Sequence, residues 1–188
     1  IAAAGIAGNG TPEQTLEWVP QCYGTADDVK LGAFCVSEPD AGSDVSSLRT
    51  RAVYDQANDE WVLNGTKAWI TNGSIADVAV VWAQSEEGVR GFLIERGAPG
   101  FTTNEIRHKF SLRASVTSEL FFDECRVPER NRLPAAEGLG APLSCLTQAR
   151  YGIAWGAVGA AQACYREALA FARQRVLFGE ALVKKQLI

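Results

Sequence analysis

The sequence predicts an α+β fold: an antiparallel β-barrel or orthogonal β-sheet as middle domain, flanked by helices of truncated all-α domains. Three observations carry this. A capped, proline-started helix lies near the beginning, and six or seven short apolar runs with turn residues roughly every 8–12 positions fill the middle. A long proline-free stretch with helical apolar spacing closes the chain. The boundaries that follow are 1–30 for the end of one helical domain and its connector, 31–134 for the β-domain, and 135–188 for the start of a second helical domain.

Taken in order, Thr11 is a helix cap, Pro12 suits the first helical position, and Gln14 completes a capping box. Leu16, Trp18 and Val19 supply the apolar face, Pro20 ends the helix, and Gln21 to Lys30 is a polar connector. Leu31 to Val36 is a short apolar run bounded by Pro39 and Gly42; Thr50 to Tyr54 reads as a strand and Gln56 to Asp59 as a turn. Trp61 to Leu63 runs into Asn64-Gly65, a strong hairpin signal, with Thr66 to Thr71 as the returning strand. Asp77 to Ala83 and Arg90 to Glu95 are strands around Glu86-Glu87-Gly88, and Phe101 to Lys109 and Ser118 to Asp123 complete the set. From Leu143 to Arg175, residues Leu146, Ala149, Ile153, Ala157, Ala160, Cys164, Ala168 and Phe171 recur at helical spacing. Gly152, Gly156 and Ala160 leave one side smooth, so that another helix can approach closely. A helix of this length wants helical partners that the chain does not supply, and the lack of methionine and the apolar last residues add to the expectation of a piece of a longer protein.

Composition excludes several classes. The 188 residues are 47% hydrophobic and 21% charged, ordinary for a globular protein of one domain and part of a second. With 22 acidic against 18 basic residues, phosphate-backbone binding is not the expected activity. No apolar run reaches the ~18 residues of a membrane span, and Ile1 to Ile6 lacks the basic region of a signal peptide. The five cysteines are scattered without a C-x-x-C pair and the only histidine is His108, so no zinc ligand set exists and reduced, packing cysteines are expected. A Ser-His-Asp arrangement would require Asp123 or another acid to meet that one histidine.

Three segments carry possible chemistry. At Ser37-Glu-Pro-Asp-Ala-Gly-Ser-Asp44 a strand ends in a tight turn whose amides and hydroxyls could bind a heterocycle edge or a phosphate, or could simply satisfy each other in Asx and ST turns. At Lys67-Ala-Trp-Ile-Thr-Asn72, Trp69 and Thr71 lie two apart and so share a strand face; they could cover and bond a flat ring, or form an ordinary half-buried strand. At Arg173 to Gly179 the basic residues suit a helix C-terminus with Gly179 as its cap, while the Arg175 fork also suits a pyrophosphate.

In this order and spacing the three segments, with Lys109-Phe-Ser-Leu-Arg-Ala-Ser115 and Val127-Pro-Glu129 between them, resemble the acyl-CoA dehydrogenase family. Within it, Phe110 to Ser115 and Ala149-Arg-Tyr-Gly-Ile-Ala-Trp-Gly156 look most like glutaryl-CoA dehydrogenases, whereas the first 70 or so residues look more like general bacterial short- and medium-chain members. The resemblance implies FAD as cofactor and α,β-dehydrogenation of an acyl-CoA thioester such as glutaryl-CoA or a short-chain acyl-CoA. It implies that the backbone of Phe34 and Val36 and the backbone and hydroxyl of Ser37 meet the flavin pyrimidine edge, Ser37 standing where many members have threonine. By the same likeness Trp69 packs on the isoalloxazine and Thr71 bonds near N5, while Arg175, Phe178 and Gln186 reach the adenosine pyrophosphate of a neighbouring subunit. Leu177 replaces a polar residue found in other members. Ser43 and Arg150 are implied on the path of CoA.

No residue of the chain matches the catalytic base. Most members carry a glutamate that would lie beyond residue 188; a minority place it one position before the matching arginine, which here is Ala149, and Glu38 belongs to the turn. The family further implies a homo-oligomer, electron-transfer flavoprotein as acceptor, and bacterial cytoplasm or mitochondrial matrix as location. A flavin-dependent monooxygenase of the same fold and a non-enzymatic β-module are the competing readings.

Overall fold

The computed structural model describes residues 1–187, which fall into two compact units divided between Leu146 and Thr147. In the first unit, α1 (Ala2–Asn9) and α2 (Pro12–Trp18) precede seven strands: β1 (Gly32–Cys35), β2 (Arg51–Asp55), β3 (Glu60–Thr71), β4 (Val78–Ser85), β5 (Gly88–Glu95), β6 (Phe101–Glu105) and β7 (Thr117–Pro128). The second unit carries the larger part of α3 (Gly140–Gln174) and the small hairpin of β8 (Val176–Leu177) and β9 (Glu180–Ala181).

Local sequence explains most boundaries. The α2 capping box is present in both directions, Gln14 N–H to Thr11 Oγ1 at 3.1 Å and Thr11 N–H to Gln14 Oε1 at 3.0 Å. The Gln14 side chain also donates to the carbonyls of Arg130 and Arg132, tying α2 to the chain beyond β7. α1 lacks a side-chain cap, and the sequence reading did not anticipate it; its burial of Ile6 rather than local signals accounts for it.

The sheet runs β1-β4-β2-β3-β7-β6, with β5 on β4. It is mainly antiparallel, but β1 lies parallel to β4, and β2 joins β4 in parallel at Arg51 and Gln84, so the sheet is a mixed, curled one rather than a purely antiparallel barrel. β4 is its central strand: Ala79, Val81 and Ala83 enter one apolar cluster with Leu63, Phe92 and Leu120, whereas Val78, Val80 and Trp82 enter a second with Ile6, Trp18 and Leu133. Burial on both faces explains why this strand reads as a continuous apolar run instead of alternating.

Three expectations are corrected. Asn64-Gly65 is not a hairpin turn but lies inside the continuous β3; the β2–β3 hairpin turns at residues 56–59. Asn64 exchanges two hydrogen bonds with Glu124 across a bulge in β7, and Gly65, at φ +151°, lets the Thr50 backbone pass: a Cβ there would stand 2.7 Å from Thr50 Cα. Gly179 is not a helix C-cap; it follows Phe178 in a two-residue loop between β8 and β9, both at positive φ (53° and 79°), the type I′ pattern. β6 ends at Glu105 rather than Lys109, because Lys109 turns its ammonium onto the carbonyls of Leu112 and Ser115 and the Thr117 hydroxyl, gathering the following loop.

Candidate functional site

A bulge in β3 itself forms the site's frame. Lys67 pairs with Leu120 and Ile70 with Ser118, so Ala68 and Trp69 together stand opposite Glu119 alone. Trp69 takes φ +63°, a left-handed conformation costing a bulky residue about 1–2 kcal/mol. The kink buries Ala68 and turns the Trp69 side chain out, 67% exposed, while Ile70 returns to the core and Thr71 is exposed again.

The Ser37 segment lies against this bulge: the Ala68 N–H donates to the Ser37 carbonyl at 3.0 Å. β1 is the terminal strand of its sheet. Its neighbour Leu31 offers its carbonyl to the Val78 N–H on β4, so alternation along the strand points Ala33 and Cys35 toward β4 and the Phe34 amide and carbonyl to the open edge. The Phe34 ring itself packs against Trp82, centroids 5.9 Å apart. Among the described residues, no protein group bonds the hydroxyls of Ser37, Ser43 or Thr71 or the Trp69 indole N–H.

Behind Ser37 is a buried ion pair. Lys67, fully buried, donates from Nζ to Glu38 Oε1 at 2.7 Å and to the Val36 carbonyl at 3.2 Å. The Glu38 carboxylate, 6% exposed, also accepts from the amides of Thr50 (3.0 Å) and Arg49 (2.6 Å). Burial works to raise the Glu38 carboxyl, but Lys67 and these donors outweigh it and hold the group below its ordinary value. Burial likewise lowers the Lys67 ammonium against the pull of Glu38. The turn closes by reciprocal Glu38–Ala41 backbone bonds around Pro39-Asp40. Asp44 then caps the turn at 45–47 by accepting from the Ser46 amide and hydroxyl, so Asx bonding accounts for Asp44 but does not engage the hydroxyls of Ser37 and Ser43. Sequence reasoning passed over Lys67; the signal was a lysine in an alternating strand at a core-facing position.

The site residues on the second unit stand as follows. Arg150 is exposed and its Nη1 donates to Thr147 Oγ1 at 3.4 Å. The Arg175 carbonyl accepts the Leu182 N–H at 2.7 Å while its side chain is exposed. Phe178, 96% exposed at the hairpin tip, has Lys185 Nζ 5.9 Å from its ring centroid, and Gln186 is exposed. Ala149 is half-buried on α3, whose one carboxylate is Glu167.

A concavity of about 460 Å³ lies elsewhere, lined by Tyr54, Trp61, Glu129 and Arg132 among others. Its polar groups satisfy one another: the Trp61 indole donates to Glu129 at 2.5 Å, and Arg132 forks onto the same carboxylate. Of the motif residues only Glu129 lines it, among those described, and none of the expected cofactor- or substrate-binding residues does.

Among the described residues no helix is long and apolar enough to cross a membrane. The family model for the acyl-CoA dehydrogenase middle domain matches residues 33–125, and that for the acyl-CoA dehydrogenase C-terminal domain matches 136–188. An acyl-CoA dehydrogenase of Bacillus subtilis is 38% identical over 183 residues, covering 94% of this chain and 47% of the relative. A mitochondrial 2-methylacyl-CoA dehydrogenase of Solanum tuberosum is 39% identical over 186 residues, covering 96% and 44%. A solved glutaryl-CoA dehydrogenase from Mycobacterium smegmatis, in complex with FADH2, is 49% identical with a TM-score of 0.92, covering all of this chain and 47% of that one. The chain thus spans about half the length of the relatives it matches. With both family models matched in order along the β-unit and the helix that follows it, the chain belongs to the acyl-CoA dehydrogenase family.

Proposed function

We propose that the intact protein is an FAD-dependent dehydrogenase that converts an acyl-CoA thioester to its trans-2-enoyl form, with glutaryl-CoA as first candidate and a short-chain acyl-CoA as second. The observation that carries this is Trp69: a two-thirds exposed indole on a left-handed backbone, next to Ala68, whose amide bonds Ser37, and two residues before the exposed Thr71. Strain kept at an exposed aromatic calls for a flat partner to cover it. The 49% identity to the mycobacterial glutaryl-CoA dehydrogenase supports glutaryl-CoA as first candidate, while a second glutaryl-CoA dehydrogenase at 35% is no more similar than the butyryl-CoA dehydrogenase at 37%, which keeps the short-chain candidate.

Bound flavin supplies the acceptor of the two electrons. The chain's own residues orient and polarise. The Phe34 backbone at the open edge of β1, the Val36 amide and the Ser37 hydroxyl take the pyrimidine edge; the Val36 carbonyl is already occupied by Lys67. Trp69 covers the ring face, and the Thr71 hydroxyl donates near N5, a preset dipole that need not reorganise as charge develops. Ser43 takes the pantetheine arm and Arg150 the CoA nucleotide. Arg175, Phe178 and Gln186 take the FAD pyrophosphate of a neighbouring subunit, which makes the protein a homo-oligomer. The base that removes the α-proton is assigned outside these 188 residues. Glu38 does not serve: its carboxylate is buried and already accepts from Lys67, Thr50 and Arg49. The proposed location is bacterial cytoplasm or mitochondrial matrix, a reading supported by bacterial and mitochondrial relatives, and the proposed acceptor of the electrons is electron-transfer flavoprotein.

Anaerobic mixing of the intact flavoprotein with glutaryl-CoA and with butyryl-CoA is the test. Bleaching of the flavin absorbance is expected, faster with glutaryl-CoA; no bleaching with any acyl-CoA rejects the reading.

A further inference from the structure

We propose that Lys67 and Glu38 form one positioning pair that sets the Ser37 segment against Trp69, a role that presupposes the flavin site proposed for those two residues. The two bonds from Lys67 Nζ end on either side of Ser37, one on the Val36 carbonyl and one on the Glu38 carboxylate. Lys67 itself enters the bulge two residues before Trp69. The ammonium is therefore a crosspiece between the strand that carries the indole and the turn that carries the hydroxyl. The carboxylate extends it to a third segment, since the Arg49 and Thr50 amides at the start of β2 end on the same group.

Stability alone does not explain the pair. A fully buried ion pair gives little or nothing over apolar residues of similar volume, because desolvation offsets the attraction. Apolar residues of similar volume at both positions together would fill the same space without that cost, whereas losing one partner alone leaves the other charge buried and unpaired. What an apolar side chain cannot do is hold two acceptors at fixed distances on both sides of one residue. Directional bonds of this kind fix geometry where packing alone leaves it loose.

The experiment compares FAD dissociation constants and visible flavin spectra of the full-length wild type, Lys67→Met, and Leu133→Ala, the last a buried site of the second apolar cluster that serves as a control for lost stability. The expected result is at least a tenfold weaker FAD affinity and a shifted flavin band for Lys67→Met, with Leu133→Ala binding as wild type. Lys67→Met binding FAD as tightly as wild type with an unchanged spectrum overturns the inference and leaves the flavin reading standing; so does an equal loss in Leu133→Ala. Should Lys67→Met not fold, Glu38→Gln decides by the same two measurements, weaker affinity and a shifted band supporting the pair and wild-type values overturning it. A wild type that binds no FAD rejects the flavin site and the positioning role together.

Discussion

The Ala68 amide is bonded to the Ser37 carbonyl at 3.0 Å, one residue before the chain turns to φ +63° at Trp69. This single backbone bond joins the end of β1 to the bulge of β3, two segments more than thirty positions apart in sequence. It brings the first two motifs to one place, and the strain at Trp69 persists because the bond, the bulge and the Lys67–Glu38 pair all constrain the same few residues.

Trp69→Gly should stabilise the fold relative to Trp69→Ala by about 1 kcal/mol. Alanine keeps the left-handed penalty of about 1–2 kcal/mol, whereas glycine escapes it and gives back only part through greater unfolded-chain entropy. Urea denaturation of the two variants measures the difference; an Ala variant as stable as the Gly variant contradicts it. Both should lose FAD affinity if the indole covers the ring.

Glu38 should govern part of the acid limb of the stability curve. Its folded carboxyl sits below the ordinary value, so it contributes stability that is fully present above the unfolded pKa of ~4.3 and is lost as pH falls through the lower folded value. Glu38→Gln should flatten that limb, seen by thermal unfolding between pH 6 and 3. At pH 7, removing Lys67 alone should cost about 3–5 kcal/mol, since it leaves a buried charge unpaired.

Gly65→Ala should destabilise by about 1–3 kcal/mol. The new Cβ would meet Thr50 Cα at 2.7 Å, a backbone contact that cannot swing aside, and φ +151° is unfavourable for any side chain. Denaturant unfolding checks this, with Gly88→Ala, which also has positive φ but open space around it, showing the conformational cost without the clash.

Phe178→Asn should separate folding from binding. Asparagine ahead of Gly179 suits a type I′ turn better than phenylalanine, so the β8–β9 hairpin should hold at least as firmly, by a few tenths of a kcal/mol. If Phe178 serves the FAD of a neighbouring subunit, affinity for FAD should fall in the same variant, measured by equilibrium dialysis.

Local chemistry made the capping box of Thr11 and Gln14, the turn at 56–59, the strands and the long α3 legible in the sequence, because each depends on neighbours within a few positions. Motif spacing also made the family legible. What only the tertiary structure decided was the meaning of Asn64-Gly65, of Phe178-Gly179 and of Lys67. Gly65 answers to the passing Thr50 backbone and Lys67 to Val36 and Glu38, both far along the chain, while Gly179 answers to the pairing of Val176 with Ala181 that the short hairpin forms after the helix. A turn propensity or an alternation pattern registers the local backbone alone. Whether that backbone becomes a turn, a bulge or a buried crosspiece is set by contacts formed once the strands have paired.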